Sequence, residues 1–353
     1  MGGSRYISAL APSGRCAART RSDAMPLHWS QHIRRLTTRW SRRPGPAHAG
    51  RRVPARRVYA GATRRGSAPT LGRSNLMSHF LLFWAAMPAV VLSLWLLRIA
   101  EAPRSVQAAQ VVVAAVAVAI HFMTMRLRPL KSLIDSQWLA LPIAASLFIP
   151  LIAGPSGSPA RWLVLGSARL YIAPVVLPVA LFLLAASHRT PAIYVVSVTA
   201  AAMALVLQPD APQLTAFALA LCVLLATEDL PLPLRLGLFI ILLSGVVATW
   251  RTPTFLSPVR YVEGVFTIAA EASPLALVAA MISAALPVAS LAWIARVMRS
   301  RGVFAVAVYF GALFSLAPLQ ITPVPLLGFG SGPILGYFLV AGIITRNRGD
   351  ETA

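Results

Sequence analysis

The chain has 353 residues, of which 57% are hydrophobic and 12% are charged, and its mean hydropathy is +0.71. Charged residues make up about 25% of an ordinary soluble domain, so this composition excludes a soluble globular protein and predicts a polytopic membrane protein. A formal net charge of +22 would suggest a nucleic-acid-binding protein, but the distribution of this charge along the chain does not support a nucleic acid partner.

The N-terminal segment, residues 1–76, carries most of that charge, with 16 arginines and one acid, Asp23. It is rich in Ser, Pro and Gly and too poor in apolar residues to offset its ordering entropy, so we predict a disordered basic tail. Three interpretations stay open: a cytoplasmic tail that touches anionic membrane lipids, an organelle transit peptide, or an over-long gene model. The last is favoured, because an apolar span begins directly after Met77.

Cysteine and histidine positions argue against a metal or a disulfide. Cys16 lies in the tail and Cys222 in an apolar run, and no Cys and His have metal-ligand spacing. His121 near the end of an apolar run is interpreted as a hydrogen-bonded packing residue. We predict no metal site and no cofactor.

Ten apolar runs follow the tail, and each is close to the length that crosses a membrane as a helix. They lie at 79–98, 107–125, 138–153, 170–187, 191–207, 212–228, 233–249, 274–297, 302–319 and 327–345. Because backbone in lipid must satisfy its own hydrogen bonds, these Ala- and Leu-rich runs predict an all-α fold of about ten transmembrane helices over residues 77–346. A short tail, residues 347–353, completes the chain.

The loops between the runs indicate the orientation. With the N-terminus inside, the inner loops and C-terminal tail hold ten Lys and Arg, and the outer loops hold five. Lys and Arg are retained on the cytoplasmic side, so both termini are predicted to be cytoplasmic. Four polar or glycine-rich stretches then gather on the outer face, where a concave pocket can form.

These four stretches carry the most informative residues. They read RWLVLG at 161–166, LQPD at 207–210, YVEGVFTIAAE at 261–271 and PVPLLGFGSGP at 323–333. In this order, and with this sidedness, they resemble the motifs of the SEDS family (shape, elongation, division and sporulation), the FtsW/RodA polymerases of bacterial cell-wall synthesis. The resemblance extends over residues 77–345.

The resemblance implies glycosyl transfer from lipid II, an undecaprenyl-linked precursor, on the outer face of the bacterial cytoplasmic membrane during division or elongation. It also implies a class B penicillin-binding protein as partner. Glu263 occupies the place of the family's essential Asp and is the candidate general base. Arg161 and Arg260 are candidates to hold the diphosphate, since a guanidinium fork suits phosphate oxygens. Further candidate substrate-binding residues are Trp162, Asp210, Glu271, Gly330 and Ser331.

Each candidate also has a structural interpretation. Glu263 can be a solvated loop carboxylate paired with Arg260. Glu271, expected deeper on the same helix, either forms a pocket wall or is a neutral Glu bonded to a neighbouring span. Asp210 next to proline suits a turn or helix cap, and Trp162 suits an interfacial anchor.

Three departures from the family pattern keep other functions open. Pro174 and Leu177 stand where the family has a Glu and a Lys, only 53 positions separate Asp210 from Glu263, and Glu263 replaces Asp. A non-catalytic SEDS-like scaffold that binds a cell-wall partner or a lipid carrier is therefore an alternative, and a transporter or flippase of polyprenyl-linked precursors is another. The sequence also leaves open whether a divalent cation substitutes for the missing lysine.

Overall fold

The computed structural model describes residues 71–127, 136, 138–153, 160–165, 168–185, 190–227, 230–252 and 259–350. Within these ranges the chain forms twelve α-helices and one two-stranded antiparallel sheet. The helices are α1 (Leu71–Ile99), α2 (Arg104–Arg126), α3 (Ala140–Ser146), α4 (Ile149–Ala153), α5 (Ala173–Leu184), α6 (Pro191–Leu207), α7 (Ala211–Thr227), α8 (Leu232–Arg251), α9 (Val265–Ala272), α10 (Pro274–Met298), α11 (Arg301–Leu316) and α12 (Ser331–Asp350). The strands are β1 (Trp162–Leu165) and β2 (Ala168–Tyr171), and a 3₁₀ turn, Ala317–Leu319, follows α11.

Five helical segments among the described residues are long and apolar enough to cross a membrane. They are Phe80–Ile99, Arg104–Arg126, Leu232–Arg251, Pro274–Met298 and Arg301–Leu319. Shorter apolar helices and α12 occupy the other predicted runs, so each of the ten runs contains helix. The chain is a predominantly helical membrane protein, while the count of ten spans and the cytoplasmic location of both termini stay predictions.

The β1–β2 hairpin corrects the prediction of a purely α-helical fold. Its strands pair antiparallel with Trp162 opposite Tyr171 and Leu163 opposite Leu170. The two strands are separated in sequence by Gly and Ser, and a two-residue, glycine-containing connection between short apolar stretches is typical of a β-hairpin. This signal lies in the first of the four polar or glycine-rich stretches that we placed on the outer face.

The predicted run 138–153 is also different, because it forms two short helices instead of one continuous span. α3 ends at Ser146, and the N–H groups of Leu147 and Phe148 bond back three residues at 3.2 and 3.0 Å, which is a tighter turn than an α-helix. Pro150 explains the break, since its ring clashes with the carbonyl group four residues earlier and it donates no hydrogen bond.

The centre of the bundle is built from α11 and α12. α12 packs against α1, α2 and α5, and α11 packs against α5, α7 and α10. The aromatic side chains of Tyr309, Tyr337 and Phe338 are fully buried where these helices meet. Gly336 lets α12 lie directly against α5, since a Cβ there would fall 1.9 Å from the Pro174 carbonyl oxygen.

Polar side chains inside the bundle bond between helices. The amide of Gln110 donates to the Ser93 hydroxyl at 3.1 Å, and Nδ1 of the buried His121 bonds to the Phe338 carbonyl oxygen at 3.2 Å. Such bonds satisfy groups that hydrocarbon would leave unpaired. The packing interpretation of His121 is therefore confirmed.

The two ends of the bundle differ in chemistry. α7 begins beside Asp210 and ends at Thr227, whose carbonyl oxygen accepts a hydrogen bond from the Arg301 guanidinium at the start of α11. Arg346 likewise donates to the Thr124 carbonyl oxygen near the end of α2, at 3.4 Å. Arginines thus cap helices at one end, and the four motif stretches lie at the other.

The predicted terminal segments are described only in part. Residues 1–70 lie outside the described residues, so the predicted basic tail over 1–76 is not addressed there, and α1 begins at Leu71, ahead of Met77. Of the predicted tail over 347–353, α12 includes the residues up to Asp350, and residues 351–353 lie outside the described part.

Candidate functional site

Four segments meet at the end of the bundle opposite the arginine caps, and we call their meeting the junction. They are the β1–β2 hairpin, the turn at 208–210 between α6 and α7, the turn at 259–264 before α9, and the segment 320–331 that leads into α12. These segments contain the candidate site residues that were predicted from the sequence. The structure brings them together.

The segment 320–331 lies against the turn at 259–264. Gly328 is pressed onto this turn, because a Cβ at that position would fall 2.4 Å from the Val262 carbonyl oxygen. The next residue, Phe329, donates its N–H to the Tyr261 carbonyl oxygen at 2.9 Å. The residues on either side of Glu263 and the glycine-rich stretch therefore form one packed unit.

The start of α12 lies against the hairpin in the same way. A Cβ on Gly332 would fall 2.4 Å from the Tyr171 carbonyl oxygen, and the Ser331 hydroxyl donates to the Arg169 carbonyl oxygen at 3.4 Å. Gly330 is less crowded, since a Cβ there would make an ordinary contact of 3.8 Å. Gly330 and Ser331 are the two predicted site residues in the glycine-rich stretch, and of these Ser331 forms a hydrogen bond with the hairpin.

Arg161 joins the hairpin to the turn at 208–210. Its side chain is buried, its Nε donates to the Gln208 carbonyl oxygen at 3.1 Å, and a terminal nitrogen donates to the Pro209 carbonyl oxygen. The Gln208 amide in turn donates to the Leu147 carbonyl oxygen where α3 ends. The guanidinium thus has two backbone acceptors inside the protein.

Asp210 and Tyr171 form the second link between these segments. Both side chains are buried, and the Tyr171 hydroxyl donates to Oδ2 of Asp210 at 2.5 Å. Tyr171 also stacks on Trp162 with a ring-centre distance of 5.0 Å. Trp162, considered from sequence as an interfacial anchor or a substrate contact, is therefore half-buried against its hairpin partner.

Asp210 also directly precedes α7. The backbone N–H of Gln213 lies close enough to its carboxylate to lower the pKa of Asp210, and the pairing of Asp and Gln at this spacing is typical of a capping box. The reciprocal half of such a box is missing, because the Asp210 N–H donates to the Leu205 carbonyl oxygen at 3.0 Å. The Gln213 side chain turns instead to Tyr309, whose hydroxyl donates to its Oε1 at 2.5 Å.

The charges around Asp210 partly offset its burial. Burial raises the pKa of the Asp210 carboxyl above its ordinary value of 3.8, and Arg161, the Tyr171 hydroxyl and the Gln213 N–H each oppose part of this rise. Its second oxygen, Oδ1, is buried and has no protein hydrogen-bond partner within the described residues. Asp210 is thus an inward-facing polar residue with hairpin and helix partners.

Glu263 lies in the turn before α9 and is half-buried. One carboxylate oxygen accepts the N–H of Val259 at 2.8 Å, and its own N–H donates to the Val259 carbonyl oxygen at 3.0 Å. Partial burial raises the pKa of Glu263 above 4.5, whereas the backbone N–H groups of Val259 and Glu263 and the charge of Arg161 lower it. Only Oε2 of the Glu263 carboxylate accepts this hydrogen bond, so the other carboxylate oxygen is available to accept a proton.

Arg260 pairs with Glu271 and not with Glu263. Its guanidinium lies 2.5 Å from Oε2 of Glu271, and the two side chains are 64% and 54% exposed. α9 starts at Val265, so Glu263 and Glu271 are not on one continuous helix as expected from the sequence. Glu271 is consequently an exposed carboxylate in an ion pair with Arg260, and its predicted depth in the membrane stays a prediction.

Several residues of the junction were not predicted as site residues. They are Tyr171, Gln208, Gln213 and Tyr309. The letters D-A-P-Q at 210–213 fit a capping box and could have pointed to Gln213. The partner of Tyr171 could not be read from sequence, because 39 positions separate it from Asp210.

The described residues offer no ready metal site. Within the described ranges no three His, Cys, Asp or Glu side chains are arranged to hold a metal ion. The divalent cation that the sequence leaves open is therefore given no ligands among these residues.

The fold and the junction define a polytopic membrane protein with a SEDS-like fold, and solved structures support this description. The crystal structure of the rod shape determining protein RodA from Thermus thermophilus matches with a TM-score of 0.55 and 18% identity, over 77% of this chain and 96% of that chain. An aspartate-to-alanine mutant of the same RodA matches with a TM-score of 0.55 and 19% identity, over 77% and 97%.

A third match is a structure that concerns the coordination of polymerization and crosslinking by a peptidoglycan synthase complex. Its TM-score is 0.57 and its identity is 20%, over 76% of this chain and 97% of that chain. No family model and no curated protein matches this chain. At these identities the structural likeness establishes the fold alone.

Proposed function

We propose that this protein is a SEDS-like glycosyltransferase that polymerises lipid II on the outer face of the bacterial cytoplasmic membrane, in division or elongation. The observation that carries the proposal is the junction, where the hairpin, the turn at 208–210, the turn around Glu263 and the segment 320–331 meet at one end of a RodA-like fold. A role in peptidoglycan synthesis agrees with the descriptions of the matching structures.

In the proposed reaction, a sugar hydroxyl of the acceptor attacks the anomeric carbon of the donor sugar. The bond from that carbon to the diphosphate oxygen breaks, and the polyprenyl diphosphate leaves with the bonding electrons. Glu263 takes the hydroxyl proton, and its raised pKa favours proton uptake at the moment of attack. Its uncommitted carboxylate oxygen is the acceptor of that proton.

Cations near the site would balance the charge of the leaving diphosphate. Arg260 is exposed, and its ion pair with Glu271 leaves further N–H donors of the guanidinium available. Arg161 donates to two backbone carbonyl groups of the turn at 208–210. Its main role would therefore be to hold this turn against the hairpin, in addition to any contact with the diphosphate. Trp162, Asp210, Glu271, Gly330 and Ser331 would shape the surrounding wall.

A class B penicillin-binding protein is the proposed partner. The proposal rests on the SEDS resemblance and on the description of one matching structure as a peptidoglycan synthase complex that coordinates polymerization and crosslinking. Lipid II, the membrane lipids and this transpeptidase are thus the proposed binding partners, and no nucleic acid partner is proposed.

The scaffold is the second candidate function, and a specific observation favours it. The Glu263 carboxylate closes its own turn through the Val259 N–H at 2.8 Å, which gives this residue a structural task without any reaction. In addition, Pro174 and Leu177 occupy the places of a family Glu and Lys. A scaffold would keep the junction and the partner but make no glycan.

Polymerisation of labelled lipid II by the purified full chain, with and without the candidate transpeptidase, tests the two functions. We expect glycan chains from wild type and a loss of about 100-fold or more in Glu263→Gln and Glu263→Ala, as for removal of a general base. Glu101→Gln, an exposed carboxylate outside the junction, is the matched control and should leave the rate unchanged. A folded protein that binds the transpeptidase yet makes no chains would overturn the enzyme and support the scaffold.

A further inference from the structure

A groove of about 360 Å³ lies between the end of α1 and the start of α2. Its lining residues are Leu94, Trp95, Arg98, Gln107, Ala108 and Val111, and we call it the α1–α2 groove. It plays no part in the junction or in the proposed reaction. Because α2 ends beside the arginine-capped end of the bundle, its start lies at the same end as the junction.

The position of the groove along its two helices places it at the membrane surface. The first apolar segment ends at Ile99 and the second begins at Arg104, so the groove spans the last turns of one and the first turns of the next. This depth is the boundary between hydrocarbon and lipid headgroups. Trp95, which is 45% exposed, is a residue type enriched at that boundary.

The groove has an apolar wall and a cationic end. Leu94, Ala108 and Val111 supply aliphatic surface, and Val111 is 52% exposed. The Arg98 side chain is exposed and makes no hydrogen bond or ion pair with the part of the chain that the structure describes. The connecting turn adds Glu101 and Arg104, both exposed, whose charges offset each other.

Gln107 completes the polar end. Its Nε2 donates to the carbonyl oxygen of the buried Ala102 at 2.8 Å, which fixes the amide in place. A primary amide has a second N–H, and this donor stays available to a bound group. The groove thus offers a guanidinium and an amide donor for a phosphate, and aliphatic side chains for an apolar chain. A molecule that has both parts, such as a phospholipid, fits these groups.

We propose that the α1–α2 groove binds an anionic phospholipid of the membrane, with its phosphate on Arg98 and Gln107 and an acyl chain along Leu94 and Val111. The guanidinium fork matches phosphate oxygens, and the chain covers apolar side chains that the protein itself leaves exposed. The site does not depend on glycosyl transfer, so a failure of the proposed function leaves it intact.

Fluorescence quenching by brominated lipid tests this site in the full chain reconstituted into vesicles. The contribution of Trp95, one of eight tryptophans, is the difference between wild type and Trp95→Phe. Vesicles contain brominated phosphatidylglycerol or brominated phosphatidylcholine in an unbrominated phosphatidylcholine background. We expect phosphatidylglycerol to occupy the site about fivefold more strongly, which is the preference that one basic residue near an anionic surface confers.

Arg98→Gln should abolish this preference, and Arg98→Lys should retain most of it. The matched control is Arg251→Gln, which removes another exposed arginine from the last turn of an apolar helix and should change nothing. Val111→Phe should fill the groove and lower the Trp95-dependent quenching by both lipids while keeping Arg98. This second variant tests the site separately if Arg98→Gln does not fold.

Three results would overturn the proposal. Equal quenching by both brominated lipids in wild type would remove the anionic specificity. A preference that survives Arg98→Gln would remove the phosphate contact. Displacement of phosphatidylglycerol by inorganic phosphate would show that the site recognises the free anion and not a lipid.

Discussion

Asp210 has two roles at its turn, since its carboxylate lies near the Gln213 N–H at the start of α7 and accepts a hydrogen bond from the Tyr171 hydroxyl of the hairpin. Both roles use a fully buried carboxylate, and the cost of that burial appears as a raised pKa. The residue therefore holds the junction together, and this explains a conspicuous acid at the end of an apolar run without a direct catalytic role.

The burial of Asp210 predicts a dependence of stability on pH. Because its folded-state pKa lies above 3.8, the folded protein binds this proton more tightly than the unfolded chain. Stability should rise as pH falls through the folded-state pKa and level off below 3.8. Asp210→Asn should weaken this dependence in thermal unfolding of the detergent-solubilised protein and leave the part that Glu263 contributes, whereas Glu101→Gln should preserve it in full.

Tyr171→Phe tests the same bond from the hairpin side. Removal of the hydroxyl leaves a buried carboxylate with one donor fewer, so we expect a loss of about 1–3 kcal/mol in unfolding free energy at pH 7. The loss should be smaller in the Asp210→Asn background, because the acceptor is then uncharged. Equal losses in both backgrounds would mean that the two side chains do not interact.

Glu263 predicts a pH profile for the proposed reaction. A general base must be unprotonated, so the polymerisation rate should rise with pH through a midpoint above 4.5 and then level off. Arg161 lowers the pKa of Glu263, so Arg161→Gln should move this midpoint to higher pH. Arg169→Gln on the same hairpin is the control, and an equal shift in both variants would contradict the assignment.

At the scale of elements, glycine decides where α12 can lie. A Cβ on Gly336 would fall 1.9 Å from the Pro174 carbonyl oxygen, so Gly336→Ala must push α12 away from α5 and should cost about 1–3 kcal/mol or more. Gly237→Ala in α8 is the matched control, because no atom lies within 4 Å of its added Cβ. The control should be neutral or more stable by up to ~1 kcal/mol from helix propensity.

Unfolding of both glycine variants in detergent compares the two effects directly. A Gly336→Ala variant as stable as wild type would mean that α5 and α12 are not in close contact. That result would also weaken the junction, since Gly332 at the start of the same helix lies against the Tyr171 carbonyl oxygen.

At the scale of the whole molecule, the two ends of the bundle should lie on opposite sides of the membrane. Val164 on β1 and Thr227 at the end of α7 are both exposed and belong to opposite ends. In a background without Cys16 and Cys222, Val164→Cys should react with a membrane-impermeant maleimide on intact spheroplasts. Thr227→Cys should react after permeabilisation alone, and the reverse pattern would overturn the predicted orientation.

Much of the fold was predictable because lipid imposes a simple rule on composition. Long apolar runs become helices, and helix occurs in each of the ten predicted runs. The break before Pro150 and the Gly-Ser hairpin were also encoded locally, although they were interpreted as part of a span and as a loop. The pairing of Arg260 with Glu271, in place of Glu263, depends on where α9 begins and was not readable from spacing.

The sequence by itself determined that this is a helical membrane protein and which four stretches carry its polar chemistry, because hydropathy and motif letters are local properties. The tertiary structure alone decided which of those residues touch. The Tyr171–Asp210 bond and the Arg161 contacts join positions 39 to 48 residues apart. Such contacts depend on how helices pack through glycine and aromatic surfaces, and no periodicity along the chain records that packing.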